Sequence, residues 1–263
     1  MAKKPAAQTT EPKETGASPM PLFYSNPQPL DARKHAELGL KKNFGLSFAA
    51  TVNAVPINMI EMPQVCHSYP IAFSMDENAT PVAILGLRNN ENLFVDAQKG
   101  TWVEGAYIPA YIRRYPFIFS EIPGTDQLTL CVDADDKVVD PKSDQKFFDK
   151  DGKPTQLSKN VLEFCKSYHA AAQQSIAFSK AVAASGLLID RQAEINIGGT
   201  RKINFSGFRI IDEQKLAELP EKEFLEWHKR GWLPFLYAHL LSGSQWQRLT
   251  TLLDARRATE DKK

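Results

Sequence analysis

The sequence predicts an α+β fold in which a β-rich N-terminal half packs against a mainly helical C-terminal half. Three observations lead there. Short apolar runs bounded by Asn, Pro and Gly fill residues 21–150. Apolar residues at helical spacing fill residues 155–258. Between them, residues 131–153 carry seven Asp and five Lys, a composition suited to a solvated connection rather than to a core. The β-rich half lacks amphipathic helix to cover both faces of a sheet, and the helical half is rich in aromatics. Each half therefore covers the other, which predicts a single domain over 21–263.

Taken in order, residues 1–20 hold Pro, Thr, Ala, Gly and a few charges, too little apolar surface to offset ordering entropy, and read as a disordered tail. Phe44–Val52 and Val55–Ile60 read as strands, as does Ser68–Ser74. Pro81–Arg88 and Leu93–Asp96 flank the polar turn Asn89–Asn92 and read as a hairpin. Thr101–Arg114 is compatible with a helix interrupted at Pro109. Phe117–Ile122 and Leu128–Asp133 form a second hairpin around Pro123–Asp126.

Beyond the connection, Ser158 suits the N-cap of a long helix ending near Ser185, with Gly186 as its stop and Val161, Cys165, Tyr168, Ala172 and Ile176 on one face. Glu194–Ile211 can turn back on itself at Gly198-Gly199. Asp212 caps a short helix over Glu213–Leu219, and Pro220 opens another that stops at Gly231. Pro234 opens the next, through Leu241, and a final helix runs from about Ser244 to Arg256.

Composition excludes several function classes. Thirty-two basic against 31 acidic residues rule out a strongly cationic nucleic-acid binder. No window approaches the roughly 18 apolar residues of a membrane span. Nothing apolar follows the basic start, so a signal peptide is not expected; the compartment this implies is the cytoplasm, or the cell surface through signal-peptide-independent export. Cys66, Cys131 and Cys165 are odd in number and lack CxxC spacing, against a disulfide framework or zinc ribbon.

No phosphate-binding glycine loop, HExxH or GxSxG occurs. A calcium loop placed with Gly152 at its sixth position puts Phe147 first and Ser158 last, where carboxylates are needed, so that reading fails. The five histidines never pair at helical spacing, and no metal site or cofactor is expected. Asp190, Arg191 and Glu194 have no nucleophile or metal ligand near them and read as a surface ion-pair cluster. Two stretches are dense in aromatic and cationic groups. One holds Arg113, Arg114 and Tyr115, which can contact an anion or simply support the fold. The other holds Trp227, His228, Trp232, Tyr237 and His239, rings able to line a ligand or peptide groove or to close a core between helices. Gly231 and Pro234 force a corner there, which sets Trp232 in the core and His228, beside Lys229 and Arg230, at the surface.

YIPAYIRRYPFIF at Tyr107–Phe119, FRIIDEQKLAEL at Phe208–Leu219 and WHKRGWLPFLYAHLL at Trp227–Leu241 resemble the SapC family. So do Leu130–Asp133 and Gly186–Leu188, in matching order, so that the resemblance covers most of residues 21–257. It brings no catalytic motif with it. It implies a bacterial source and a role in surface-layer or envelope processes, and so a non-enzymatic binding or structural protein with a protein partner. The other expectation is an accessory protein or enzyme acting on a small molecule or peptide, in a pocket between the halves where Arg113, Arg114, Trp227, His228 and His239 converge.

Overall fold

The computed structural model describes residues 20–121, 127–197 and 201–260. The tail expected over 1–20, apart from Met20, and the turns expected at Pro123–Asp126 and Gly198-Gly199 lie outside the described residues. The fold is α+β. Its strands are β1 (Pro27–Pro29), β2 (Gly39–Leu40), β3 (Ala54–Pro56), β4 (Ile71–Phe73), β5 (Pro81–Ile84), β6 (Phe117–Glu121), β7 (Leu128–Asp133), β8 (Val139–Asp140), β9 (Leu188–Ile197) and β10 (Arg201–Ile211). Its α-helices are α1 (Met62–Val65), α2 (Ala110–Arg114), α3 (Gln156–Ala184), α4 (Glu213–Ala217), α5 (Glu221–Lys229), α6 (Leu233–Leu241) and α7 (Gln245–Glu260).

Among the described residues these strands form three antiparallel sheets, ordered β1-β7-β6, β3-β5-β4-β10-β9 and β2-β8. The five-stranded sheet draws on both halves of the chain: β10 pairs with β4 through Arg209 and Phe73, and with β9 through a register that shifts between Phe205 and Phe208. Gly207, at φ +85°, occupies that irregularity, a backbone geometry that side chains resist. The larger hydrophobic cluster runs from Ala49 to Leu253 and includes Phe73, Phe178, Trp227 and Leu236. A smaller one gathers Tyr24, Tyr115, Phe117, Val132, Phe147 and Cys165. Helix α3 contributes to both.

The hairpins β6–β7 and β9–β10, the helix α3 and the corner between α5 and α6 follow the sequence pattern. Elsewhere the structure differs, for physical reasons. The strand expected over Phe44–Val52 is replaced by a 3-10 turn at Ser47–Ala49. The Phe44 and Phe48 rings lie 6.2 Å apart and both pack on Tyr115, whereas four residues of strand would separate them by about 13 Å. Val55–Ile60 is strand only to Pro56, and a 3-10 turn follows at Met59–Glu61.

Leu93–Asp96 does not pair with β5 as a hairpin strand, because β3 and β4 already occupy both edges of β5. Only the Leu93 N–H reaches back, to Leu85 O beyond the strand end. There the chain passes so close that a Cβ on Gly86 would sit 1.9 Å from Glu91 O. Helix α2 begins only at Ala110, since upstream amides are engaged elsewhere: Val103 N–H with Phe94 O and Tyr107 N–H with Ser68 Oγ.

Thr155 rather than Ser158 caps α3, accepting the Ser158 N–H, while Ser158 Oγ donates to Phe147 O at 2.6 Å. The face α3 buries is Cys165, Ala171, Ser175, Phe178, Ser179 and Val182; Ile176, expected inside, is 37% exposed. Strand β9 begins at Leu188, which puts Asp190 and Arg191 on exposed strand positions.

Candidate functional site

Arg113 and Arg114 end α2 and face the N-terminal half of α3. The helix is anchored from behind by Glu61, whose buried carboxylate accepts the Ala110 N–H at 2.7 Å, the Tyr107 hydroxyl at 3.0 Å and the Asn58 N–H at 2.9 Å. Arg113 is exposed; it donates to Ile108 O and the Tyr107 hydroxyl, and lies over the Phe164 ring at 5.4 Å.

Arg114 is held differently. Its guanidinium sits 4.5 Å from the Tyr168 ring centre, 4.7 Å from that of Tyr111 and 5.8 Å from that of Tyr24. Its Nε is buried without a hydrogen-bond acceptor, and no carboxylate pairs with it among the described residues. Burial pushes the Tyr24 and Tyr168 hydroxyls upward, against the pull of Arg114, so these rings stay neutral phenols. Burial likewise raises the Cys165 thiol to about 11, again against Arg114, so it stays protonated near neutrality. The guanidinium is thus surrounded by π faces and uncharged polar groups. Three such faces at about 0.5–2 kcal/mol each, with the Tyr24 hydroxyl beside them, are of the same size as the several kcal/mol that desolvating a cation costs, and Arg114 stays charged.

A cleft of about 410 Å³ opens beside the two arginines, walled by Leu40, Phe44, Tyr115, Phe117, Val161 and Phe164, with Asn160 also lining it. Tyr115 has its ring among Phe44, Phe48 and Tyr24, and its hydroxyl donates to the buried Asp133 carboxylate at 3.0 Å.

The tryptophan corner forms as its Gly and Pro dictate. Gly231 adopts φ +68°, the Trp232 N–H returns to Trp227 O and the Gly231 N–H to His228 O, which closes α5. Trp227 and Trp232 are buried with ring centres 6.2 Å apart, and Phe178 of α3 packs 5.7 Å from Trp232. Arg230 lies over Trp232 at 4.7 Å and pairs with Glu226 at 2.7 Å. His228 is exposed, and Tyr237 projects from α6 with half its surface in solvent.

His239 belongs to neither group. It is buried beside Phe73 at 5.3 Å, and its Nε2 accepts the Ile211 N–H at 3.0 Å, which assigns the ring proton to Nδ1. Burial lowers its pKa to about 4. A second cleft, of about 460 Å³, touches it and is walled by Ile71, Arg191, Ile211, Asp212 and Trp246.

The residues singled out from sequence therefore occupy four surroundings. Arg113, Arg114 and Tyr115 share one cleft, Trp227 and Trp232 are packed together, His228 and Tyr237 are exposed at the surface, and His239 lies under β4 and β10. The single pocket expected to join Arg113, Arg114, Trp227, His228 and His239 does not form, because the α5–α6 corner turns Trp227 inward and leaves its neighbour His228 outside. Sequence reasoning missed Tyr24 and Glu61, which carry no local signal. Tyr111, three residues before Arg114 on one helix face, and Tyr168, on the predicted face of α3, had one.

Among the described residues no group of three His, Cys, Asp or Glu side chains is placed to hold a metal ion, and no helix is long and apolar enough to cross a membrane. No curated protein and no solved structure matches the chain. The SapC family model does, over residues 30–249, a span that takes in the arginine cleft, the tryptophan corner and His239. The chain belongs to the SapC family.

Proposed function

We propose that the chain is a non-enzymatic binding protein of surface-layer or envelope processes, and that it engages a protein partner through the outer face of α6 and the exposed apolar side chains of α5. The observation that carries this reading is the two-sided apolar character of α6. Leu236, Ala238 and His239 point inward and are buried, yet Tyr237 and Leu241 on the opposite side are 51% and 67% exposed. A surface helix ordinarily keeps that side polar. Phe224 and Leu225 of α5 are exposed as well. Apolar exposure of this kind suits a protein interface, where aromatic side chains supply contact area. Family membership supports the surface-layer or envelope setting, and three free, buried cysteines suit a cytoplasmic location for the encounter.

The test is crosslinked pull-down from fractionated bacteria that carry the native protein, with a Tyr237→Ser, Leu241→Ser double variant beside it. The wild type is expected to enrich an envelope or surface-layer component that the variant fails to enrich, with melting temperatures alike. Equal capture by both, or a wild-type protein that stays monomeric and enriches nothing, overturns the reading. Recovery with the outer surface rather than the cytoplasm would place the encounter after signal-peptide-independent export.

A further inference from the structure

We propose that the cleft between α2 and α3 binds a small organic carboxylate with an apolar body, its carboxylate on Arg114 and Arg113 and its body against Phe44, Phe117 and Phe164. This goes beyond partner binding at α6 and does not depend on it. The starting point is a cation with no anion beside it. Arg114 lines the cleft, is shielded by three tyrosine rings, and lacks a carboxylate partner among the described residues. Buried guanidinium groups ordinarily meet an anion, and a planar fork of donors fits a carboxylate.

The lining decides which anion. Leu40, Phe44, Tyr115, Phe117, Val161, Phe164 and Cys165 present mostly apolar surface, with the Tyr115 hydroxyl already committed to Asp133. A phosphate dianion would bring three strongly hydrated oxygens into a wall with few donors. A monoanion would use the two arginines and leave its hydrocarbon part to the rings. Asn160 adds one donor, since its Oδ1 already accepts from Gln156 Nε2 at 2.7 Å and its amide N–H groups remain. The volume of about 410 Å³ is in the range of small-molecule sites, about 300–1,000 Å³.

The experiment titrates the full chain with phenylacetate, phenylacetamide and inorganic phosphate, followed by calorimetry and by ligand-observed NMR. Phenylacetate is expected to bind saturably, with phenylacetamide weaker by about tenfold or more, the worth of a charge-assisted contact, and phosphate weaker than phenylacetate. Arg114→Lys keeps the charge and loses the fork, and is expected to weaken phenylacetate by about tenfold with an unchanged circular dichroism spectrum. Should Arg114→Lys fail to fold, Arg113→Ala, at an exposed position, carries the test through a several-fold loss. No phenylacetate binding at millimolar concentration overturns the proposal. So does equal binding of the amide, phosphate binding as tight as phenylacetate, or full phenylacetate affinity in the folded variants. The Tyr237→Ser, Leu241→Ser variant should bind phenylacetate normally, which separates this site from the α6 surface.

Discussion

Arg209 on β10 is the register partner of Phe73 on β4, and at this pair the second half of the chain enters the sheet built by the first. The Arg209 guanidinium reinforces the junction by donating to Ser74 O and Asp76 O. A few residues away, Ser242 Oγ accepts the Ile71 N–H at 2.9 Å and donates to His239 O, so the end of α6 is tied to the same strand.

Cutting the chain in its Asp/Lys connection should therefore cost both pieces their structure. Expressed alone, residues 21–150 lose the β10 edge of β4, and residues 155–263 lose the sheet that covers α6. Poor amide dispersion in NMR and non-cooperative melting are expected for each piece. Two fragments that melt cooperatively and independently would show that the halves are separate folding units.

Trp232 and His228 are four residues apart with opposite surroundings, and their alanine variants should behave oppositely. Trp232→Ala empties a buried site against Phe178 and Trp227 and is expected to lower stability by about 3–5 kcal/mol. His228→Ala removes an exposed ring and should stay within about 0.5 kcal/mol of wild type. Urea midpoints measure both, and an unfolded His228→Ala protein would contradict its exposed position.

His239 makes stability depend on acid. The folded protein holds this ring neutral, with a pKa near 4, whereas the unfolded chain protonates it at the usual value of 6.5. The unfolded state thus binds the extra proton as pH falls from 6.5 toward 4, and stability drains across that window by roughly 3 kcal/mol in full. His239→Gln can still accept the Ile211 N–H and has no proton to gain. Its stability should fall less steeply over the same window in parallel urea titrations; identical slopes would show that His239 does not carry the dependence.

What was legible in the sequence was local. Gly186, Gly231, Pro220 and Asp212 mark helix ends through conformations and caps that depend on a few adjacent residues, and the structure places them accordingly. Strand pairing was not legible. Whether Leu93–Asp96 joins β5 depends on β3 and β4 having taken both edges, and nothing near residue 93 records that. The candidate cleft was half legible. Arg113, Arg114 and Tyr115 stood out by composition, and Tyr111 and Tyr168 lay at helical spacing. Tyr24 comes from a distant loop that Asp133 pins, by accepting the Ser25 and Asn26 N–H groups. Glu61 looks from sequence like an ordinary surface acid.

Helix α3 has 29 residues and extends about 44 Å, with Cys165 in the smaller hydrophobic cluster and Phe178 and Val182 in the larger. It is a common abutment for two cores that share few other members. A cavity made at Phe178 loosens the same rod on which Cys165 depends. Substitutions at these two positions, about 20 Å apart along the axis, would ordinarily add within about 0.5 kcal/mol. Here the shared helix should make the double variant depart from that sum, and the departure measures how firmly one rigid member binds two reservoirs of buried surface into a single cooperative body.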